Sequence, residues 1–191
     1  IIVAGSGVTL SGAQKEVTEL AEMLSIPVAT SVGGKGAIPE NHPLSVGIVG
    51  NYSRVCANQA VAAADLVIFI GSRTGSQVTN EWKIPAAGTR VIQFDIDPAE
   101  LGRNYPNQVS VLGDAKVSLR RLIETLSTTK LNKATEFASY TQGLVAKWRR
   151  DNAPMYNSDA SPIRPERMMK ELTEYLPPDA VIVADTGHSA I

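Results

Sequence analysis

A chain of 191 residues, 43% apolar and 19% charged, has room for one sizeable core plus a short extension and is too rich in apolar residues to be disordered. Eighteen basic residues against 19 acidic ones leave a net charge of −1, which gives no electrostatic footprint for nucleic acid or an anionic membrane. The single cysteine, Cys56, excludes an internal disulfide and a thiolate metal cluster. The longest apolar runs are far too short to cross a bilayer, and no signal-peptide pattern is visible, so a cytoplasmic location is expected.

The chain opens on a strand-like Ile1-Ile-Val-Ala4 closed by Gly5-Ser-Gly7. Apolar positions Val17, Leu20, Ala21 and Leu24 fall at helical spacing, which predicts a helix over 11–24 with Glu16, Glu19 and Glu22 off its stripe. Pro27 to Thr30 reads as a second strand, because proline is tolerated at a strand's first residue. Gly33-Gly-Lys-Gly36 and Ile38 to Pro43 read as loop with a short helical turn. An Ala-rich helix is expected over 54–64, then a strongly apolar strand over 66–70 ending at Gly71. Further strands are expected over 90–95 and 109–112, followed by Gly113-Asp114 and a helix to about Leu126. Unbroken apolar strands alternating with amphipathic helices predict an α/β fold, its sheet parallel and covered on both faces.

Composition changes beyond Thr128. Residues 132–150 read as one helix, 151–165 as a polar connection, and Pro165 as the first-turn proline of a helix that Pro177-Pro178 ends. A last strand is expected over 180–184, leading to Asp185-Thr-Gly-His-Ser189. The expected organisation is a domain over 1–128, a helical linker over 129–178, and the opening of something else over 179–191. Natural termini usually lie outside regular elements, so the strand-like ends predict a piece of a longer polypeptide.

Motif chemistry narrows the options. The strand–Gly5-Ser-Gly7–helix junction is a place where a backbone can approach a phosphate, or simply a tight turn. The dinucleotide fingerprint needs a glycine at position 10, which is Leu, and an acidic residue after the second strand, where the chain reads Ala29-Thr-Ser-Val32. That disfavours a nicotinamide-dependent dehydrogenase. Gly33-Gly-Lys-Gly36 lacks the spacing and the Ser or Thr of a P-loop. Arg73 follows a strand's carboxyl end, where open α/β sheets bind ligands, and Arg54 lies near a helix start; either is equally a solvated arginine. Asp95 can accept from ribose hydroxyls or cap the Asp97-Pro98 turn, and Asp114 suits a helix N-terminus without any ligand. The two histidines, His42 and His188, lie too far apart in sequence to point to zinc, and Cys56 reads as core. No catalytic residue is assigned, because nothing assembles a nucleophile, base and oxyanion hole.

Taken in order, these weak signals form one pattern. It comprises Gly5-Ser-Gly7, Pro27-Val-Ala-Thr30, Gly34-Lys-Gly-Ala-Ile-Pro39 with His42-Pro43, and Gly47-Ile-Val-Gly50. It continues with Ala57-Asn58, Ala64 to Arg73, Val91 to Pro98, and Gly113-Asp-Ala115. The run resembles the central domain of thiamine-diphosphate enzymes of the acetolactate synthase and benzoylformate decarboxylase family, over roughly residues 1–128. Residues 180–189 resemble the first strand and turn of that family's third domain, which holds the diphosphate.

The resemblance implies a doubly wound, six-stranded parallel sheet (Rossmann-like) followed by a C-terminal helical linker. It implies a parent enzyme, a homo-oligomer, that makes or breaks carbon–carbon bonds beside a 2-oxo acid carbonyl using thiamine diphosphate and magnesium. The partners of this chain would be the pyrimidine-binding and diphosphate-binding domains of the same polypeptide. The family's Gly-Asp-Gly magnesium motif does not occur in these 191 residues, so the chain alone is expected to be catalytically silent. Family central domains bind FAD, ADP or nothing. Carried over by motif, the nucleotide contacts would be Gly5, Gly7, Thr30, Arg73, Asp95, Ile96, Asp114 and Ala115, with Gly187 and His188 in the parent's diphosphate turn. Flavin-binding synthases resemble Gly-Ala-Arg-Phe-Asp-Asp-Arg where this chain reads Gly71-Ser-Arg-Thr-Gly-Ser-Gln77. A free-standing module that senses FAD or ADP is the alternative reading.

Overall fold

A computed structural model describes residues 1–177 and 179–183. The expected contacts Gly187 and His188, and the last residue of the expected 180–184 strand, lie outside the described residues. The chain divides into two compact units, one over Ile1–Val145 and one beginning at Ala146.

The first unit is built on β1 (Ile2–Ala4), β2 (Val28–Thr30), β3 (Ser45–Ile48), β4 (Leu66–Ile70), β5 (Arg90–Asp95) and β6 (Val109–Leu112). All neighbours are parallel, in the order β3-β2-β1-β4-β5-β6. The expected six-stranded α/β sheet is therefore present. The strand that no apolar run marked is β3. Gly47 interrupts it at φ +92°, and the β2–β3 register shifts at Val28/Ala29. A side chain at Gly47 would meet Arg54 Cδ at 2.7 Å.

Side-chain alternation along the strands feeds two apolar layers. Ile2, Ala4, Ile68 and Ile70 face the layer shared with α1 (Ser6–Leu10), α2 (Gln14–Leu24) and α4 (Ala115–Ser127). Val3, Val67, Phe69 and Val91 face the layer shared with α3 (Val55–Ala62). Phe137, Leu144 and Val145 of α5 (Thr135–Tyr156) pack on that second layer. Helices thus cover both faces, which is why the strands show no polar alternation.

The first helical segment differs from its expected span. Gly12, at φ +64°, interrupts its start, so α2 begins only at Gln14, and α1 is a separate short helix ahead of the expected 11–24 span. Glu16, off the apolar stripe, is nonetheless 3% exposed. Helix α4 packs over α2, and Arg120 Nε donates to Glu16 Oε1 at 2.9 Å. Helix α5 runs to Tyr156 and carries Pro154 near its end, where the Asn152 and Asn157 side-chain amides donate to the Trp148 and Ala153 carbonyls. The second unit also contains α6 (Pro165–Tyr175), with proline in its first turn as expected. Residues 180–183 form no strand in this structure.

The Ile1 nitrogen donates to Leu66 O at 2.9 Å, which ties the start of β1 to β4.

Candidate functional site: two clefts at the switch point

The strand order reverses between β1 and β4, and their carboxyl ends open a crevice on the sheet's rim, the place where open α/β folds bind ligands. Two clefts of about 440 Å³ each occupy it. The first lies among Gly5, Ser31 to Gly33, Tyr52 and the 71–78 segment. The second lies among Gly7, Leu10, Phe94 to Asp97, Glu100 and Gly113 to Ala115. Ser6, Gly71 and Arg73 belong to both.

Seven of the eight nucleotide contacts expected within the central domain line these clefts: Gly5 the first, Gly7, Asp95, Ile96, Asp114 and Ala115 the second, and Arg73 both. Thr30 lines neither. It is 2% exposed, and its Oγ1 has no hydrogen-bond partner.

The glycines do different work from the one their motif advertises. A Cβ on Gly5 would lie 2.1 Å from Gly71 O, and one on Gly7 would lie 2.6 Å from Gly71 Cα. Gly5 N–H donates to Ile70 O at 2.8 Å and Gly7 N–H to Gly71 O at 3.0 Å. The β1–α1 turn is thus bonded backbone to backbone onto the end of β4, and these two amides are spent on protein carbonyls. A ligand would meet other polar groups that line the clefts.

Arg73 is the foremost of these. Its guanidinium is exposed and makes no hydrogen bond or ion pair with the described residues. Its backbone is held firmly. Asn104 Nδ2 donates to Arg73 O at 3.0 Å and to Thr74 Oγ1 at 3.3 Å. Buried Gln93, in the middle of β5, donates from Nε2 to Ser72 O at 3.2 Å and to Glu100 O at 3.0 Å, and its Oε1 accepts from Gly102 N. A fixed base with a free cation suits an anionic group, since little ordering remains to be done on binding.

Carboxylates occupy the second cleft. Asp95 Oδ1 accepts from Asp97 N at 3.0 Å, which is the turn-capping role anticipated for it. Glu100 is 8% exposed; its Oε1 pairs with Arg103 at 2.8 Å, while Oε2 is buried without a partner. Asp114 caps α4, accepting from Val117 N at 3.0 Å. Removing that cap in Asp114→Ala will cost about 1 kcal/mol, read from the urea midpoint, and Asp114→Asn will restore most of it.

Other candidates resolve into structure. Arg54 is paired with Glu40 at 2.7 Å. His42 Nε2 lies 3.1 Å from Glu22 Oε1, and Nδ1 accepts from Leu44 N. Cys56 is buried, with Sγ 3.5 Å from Val46 O. Among the described residues, no three His, Cys, Asp or Glu side chains gather to hold a metal ion. None of those residues forms a helix long and apolar enough to cross a membrane.

Sequence reasoning missed Gln93 and Glu100. A lone glutamine inside Val91-Ile-Gln-Phe94 was the available signal, since a buried amide requires fixed partners. Asp97-Pro-Ala-Glu100 has the spacing of a capping box, the other signal.

The fold and the clefts define a doubly wound α/β domain with a ligand crevice at its switch point. Residues 1–122 match the family described as "Thiamine pyrophosphate enzyme, central domain". The chain belongs to that family. It is 37% identical over 199 residues to a probable acetolactate synthase large subunit of Methanococcus aeolicus, covering 99% of this chain and 33% of the relative. It is 39% identical over 176 residues to a probable acetolactate synthase large subunit of Methanocaldococcus jannaschii, covering 92% and 29%. An acetolactate synthase large subunit of Corynebacterium glutamicum is 34% identical over 191 residues. The chain spans about a third of the length of the curated relatives it matches.

Proposed function

We propose that this chain is the central domain of a thiamine-diphosphate-dependent, acetolactate synthase-like enzyme that joins or cleaves 2-oxo acids. In this reading it is a non-catalytic scaffold with a nucleotide crevice. The carrying observation is the family match over 1–122 on a sheet whose switch-point clefts share a backbone-anchored arginine that is unpaired among the described residues.

The residues fit an adenosine diphosphate group in chemistry. Arg73 meets the diphosphate, and the acceptors Asp95 and Glu100 meet hydroxyl or amine donors. Thiamine diphosphate supplies carbanion stabilisation when bound, and magnesium neutralises its diphosphate. We assign both, with the reacting carbon centres, to other domains of the parent polypeptide, a cytoplasmic homo-oligomer.

The test is a visible spectrum of the purified chain with and without FAD, then ADP titration read by thermal shift. A ligand that binds only the folded state raises its melting temperature, so if the crevice takes a nucleotide, saturating ADP will stabilise the chain, and the spectrum decides whether FAD does so in spite of the departure over Gly71 to Gln77. Added thiamine diphosphate, magnesium and pyruvate will yield no turnover above a buffer control. Turnover by the chain alone counts against the assignment, and indifference to both nucleotides removes the nucleotide crevice and leaves a purely structural central domain. Nucleotide binding by a gene product with no thiamine-binding parts would favour the free-standing sensor.

A further inference from the structure

Arg73 stands exposed between two buried neighbours, Ser72 and Thr74. Thr74 has φ +51°, a left-handed conformation in which a β-branched residue is an outlier. Such a residue persists only where its surroundings over-determine it, and outliers of this kind gather at ligand sites. What holds it here is the loop that follows β5. Asn104 Nδ2 donates to Arg73 O at 3.0 Å and to Thr74 Oγ1 at 3.3 Å. One amide thus grips the peptide group in front of the strained residue and that residue's own hydroxyl. The loop is itself fixed on either side of Asn104. Gln93 Nε2 donates to Glu100 O at 3.0 Å, and Tyr105 Oη donates to Ile84 O at 3.0 Å. The Tyr105 ring also lies 6.0 Å from that of buried Phe69.

We infer that Asn104 is a positioning residue for the crevice: it holds Thr74 in its left-handed conformation and thereby keeps Arg73 aimed into the space that both clefts share. This rests on the nucleotide-crevice reading above and extends it to a residue that lines neither cleft. The Arg73 carbonyl and the Thr74 N–H belong to one planar peptide unit. Its orientation is set by ψ of Arg73 at one end and φ of Thr74 at the other, so a bond to Arg73 O fixes both. Without that bond the plane can turn over and return Thr74 to a negative φ. The rotamers open to a side chain depend on its own φ and ψ, so the same turn frees Arg73 from those that place it in the clefts. A loose guanidinium pays on binding the ordering cost that a fixed one has already met. Asn104 therefore acts on a ligand only through Arg73.

Two measurements on the 191-residue chain test this. The first needs no ligand. A positive φ brings a residue's amide hydrogen close to its α hydrogen, so Thr74 will show a strong intraresidue NOE in the unsubstituted chain. In Asn104→Ala that NOE will fall by about half or more as the peptide turns over. The second is a double-mutant cycle read by calorimetry with ADP as the probe. Asn104→Ala will weaken binding about 10-fold when Arg73 is present and less than about twofold in the Arg73→Ala background. A merely structural asparagine would cost the same in both. Asn104→Leu, which keeps the volume and removes both donors, repeats each measurement in case Asn104→Ala does not fold. Three results overturn the proposal: a Thr74 NOE that survives the substitution, an unchanged affinity, or equal losses with and without Arg73. An unsubstituted chain that ignores ADP, with the NOE still lost on substitution, would sink the nucleotide reading and leave the positioning of Arg73 standing.

Discussion

Gly5→Ala is expected to abolish the native fold or cost about 3 kcal/mol or more, the largest effect of any single methyl group proposed here. The added carbon would lie 2.1 Å from Gly71 O and 2.8 Å from Ser72 Cα. Both are backbone atoms that cannot swing aside. The strand could retreat only by stretching the 2.8 Å bond from Gly5 N to Ile70 O, which ties β1 to β4 at the centre of the sheet. Gly7→Ala meets Gly71 Cα at 2.6 Å and will be nearly as costly. Gly75→Ala is the control. That glycine stands in open space at the rim of the same crevice, without a left-handed φ, so alanine there will be neutral or stabilising by about 0.5 kcal/mol. Urea unfolding followed by circular dichroism separates the three. A Gly5→Ala chain with an unchanged midpoint would show that the turn's closeness to β4 is not required.

Arg73→Ala is expected to weaken ADP binding roughly 10- to 100-fold, the worth of one charge-assisted contact to a phosphate. Its melting temperature without ligand will not change, because the guanidinium makes no bond within the described chain. Arg73→Lys will recover part of the affinity, since an ammonium keeps the charge and loses the planar fork. Calorimetry at two salt concentrations reads both effects, and the wild-type advantage will shrink as salt rises. Equal affinities for wild type and Arg73→Ala would remove the arginine from the site and leave the glycine turn as plain architecture.

The readings that came directly from sequence share one physical basis: they depend on local pattern. Leu66 to Ile70 and Val91 to Phe94 are apolar in unbroken runs, and such runs form interior parallel strands. Pro165 and Asp114 sit in the first turn and at the cap of their helices because fixed φ and a short acceptor suit those positions. Where the reading slipped, a distant contact decided. Strand β3 survives a glycine at φ +92° because β2 holds it and Arg54 lies beside Gly47. Glu16 looked solvent-facing on its own helix and is buried by α4, 104 residues away.

The site divides along the same line. Arg73, Asp95 and Asp114 could be placed at strand ends and helix starts from sequence, because a strand's end is marked by where its apolar run stops. Gln93 and Glu100 could not, since a buried amide or carboxylate is recognised by partners that only folding brings near. The glycines show the limit most clearly. Sequence established that Gly5 and Gly7 follow a strand and open a helix, since those are neighbours in the chain. Only the tertiary structure decided that their missing side chains make room for Gly71 and that their amides are spent on β4 carbonyls. The backbone atoms that fill that space come from a strand more than sixty residues away, and no local pattern encodes such an approach.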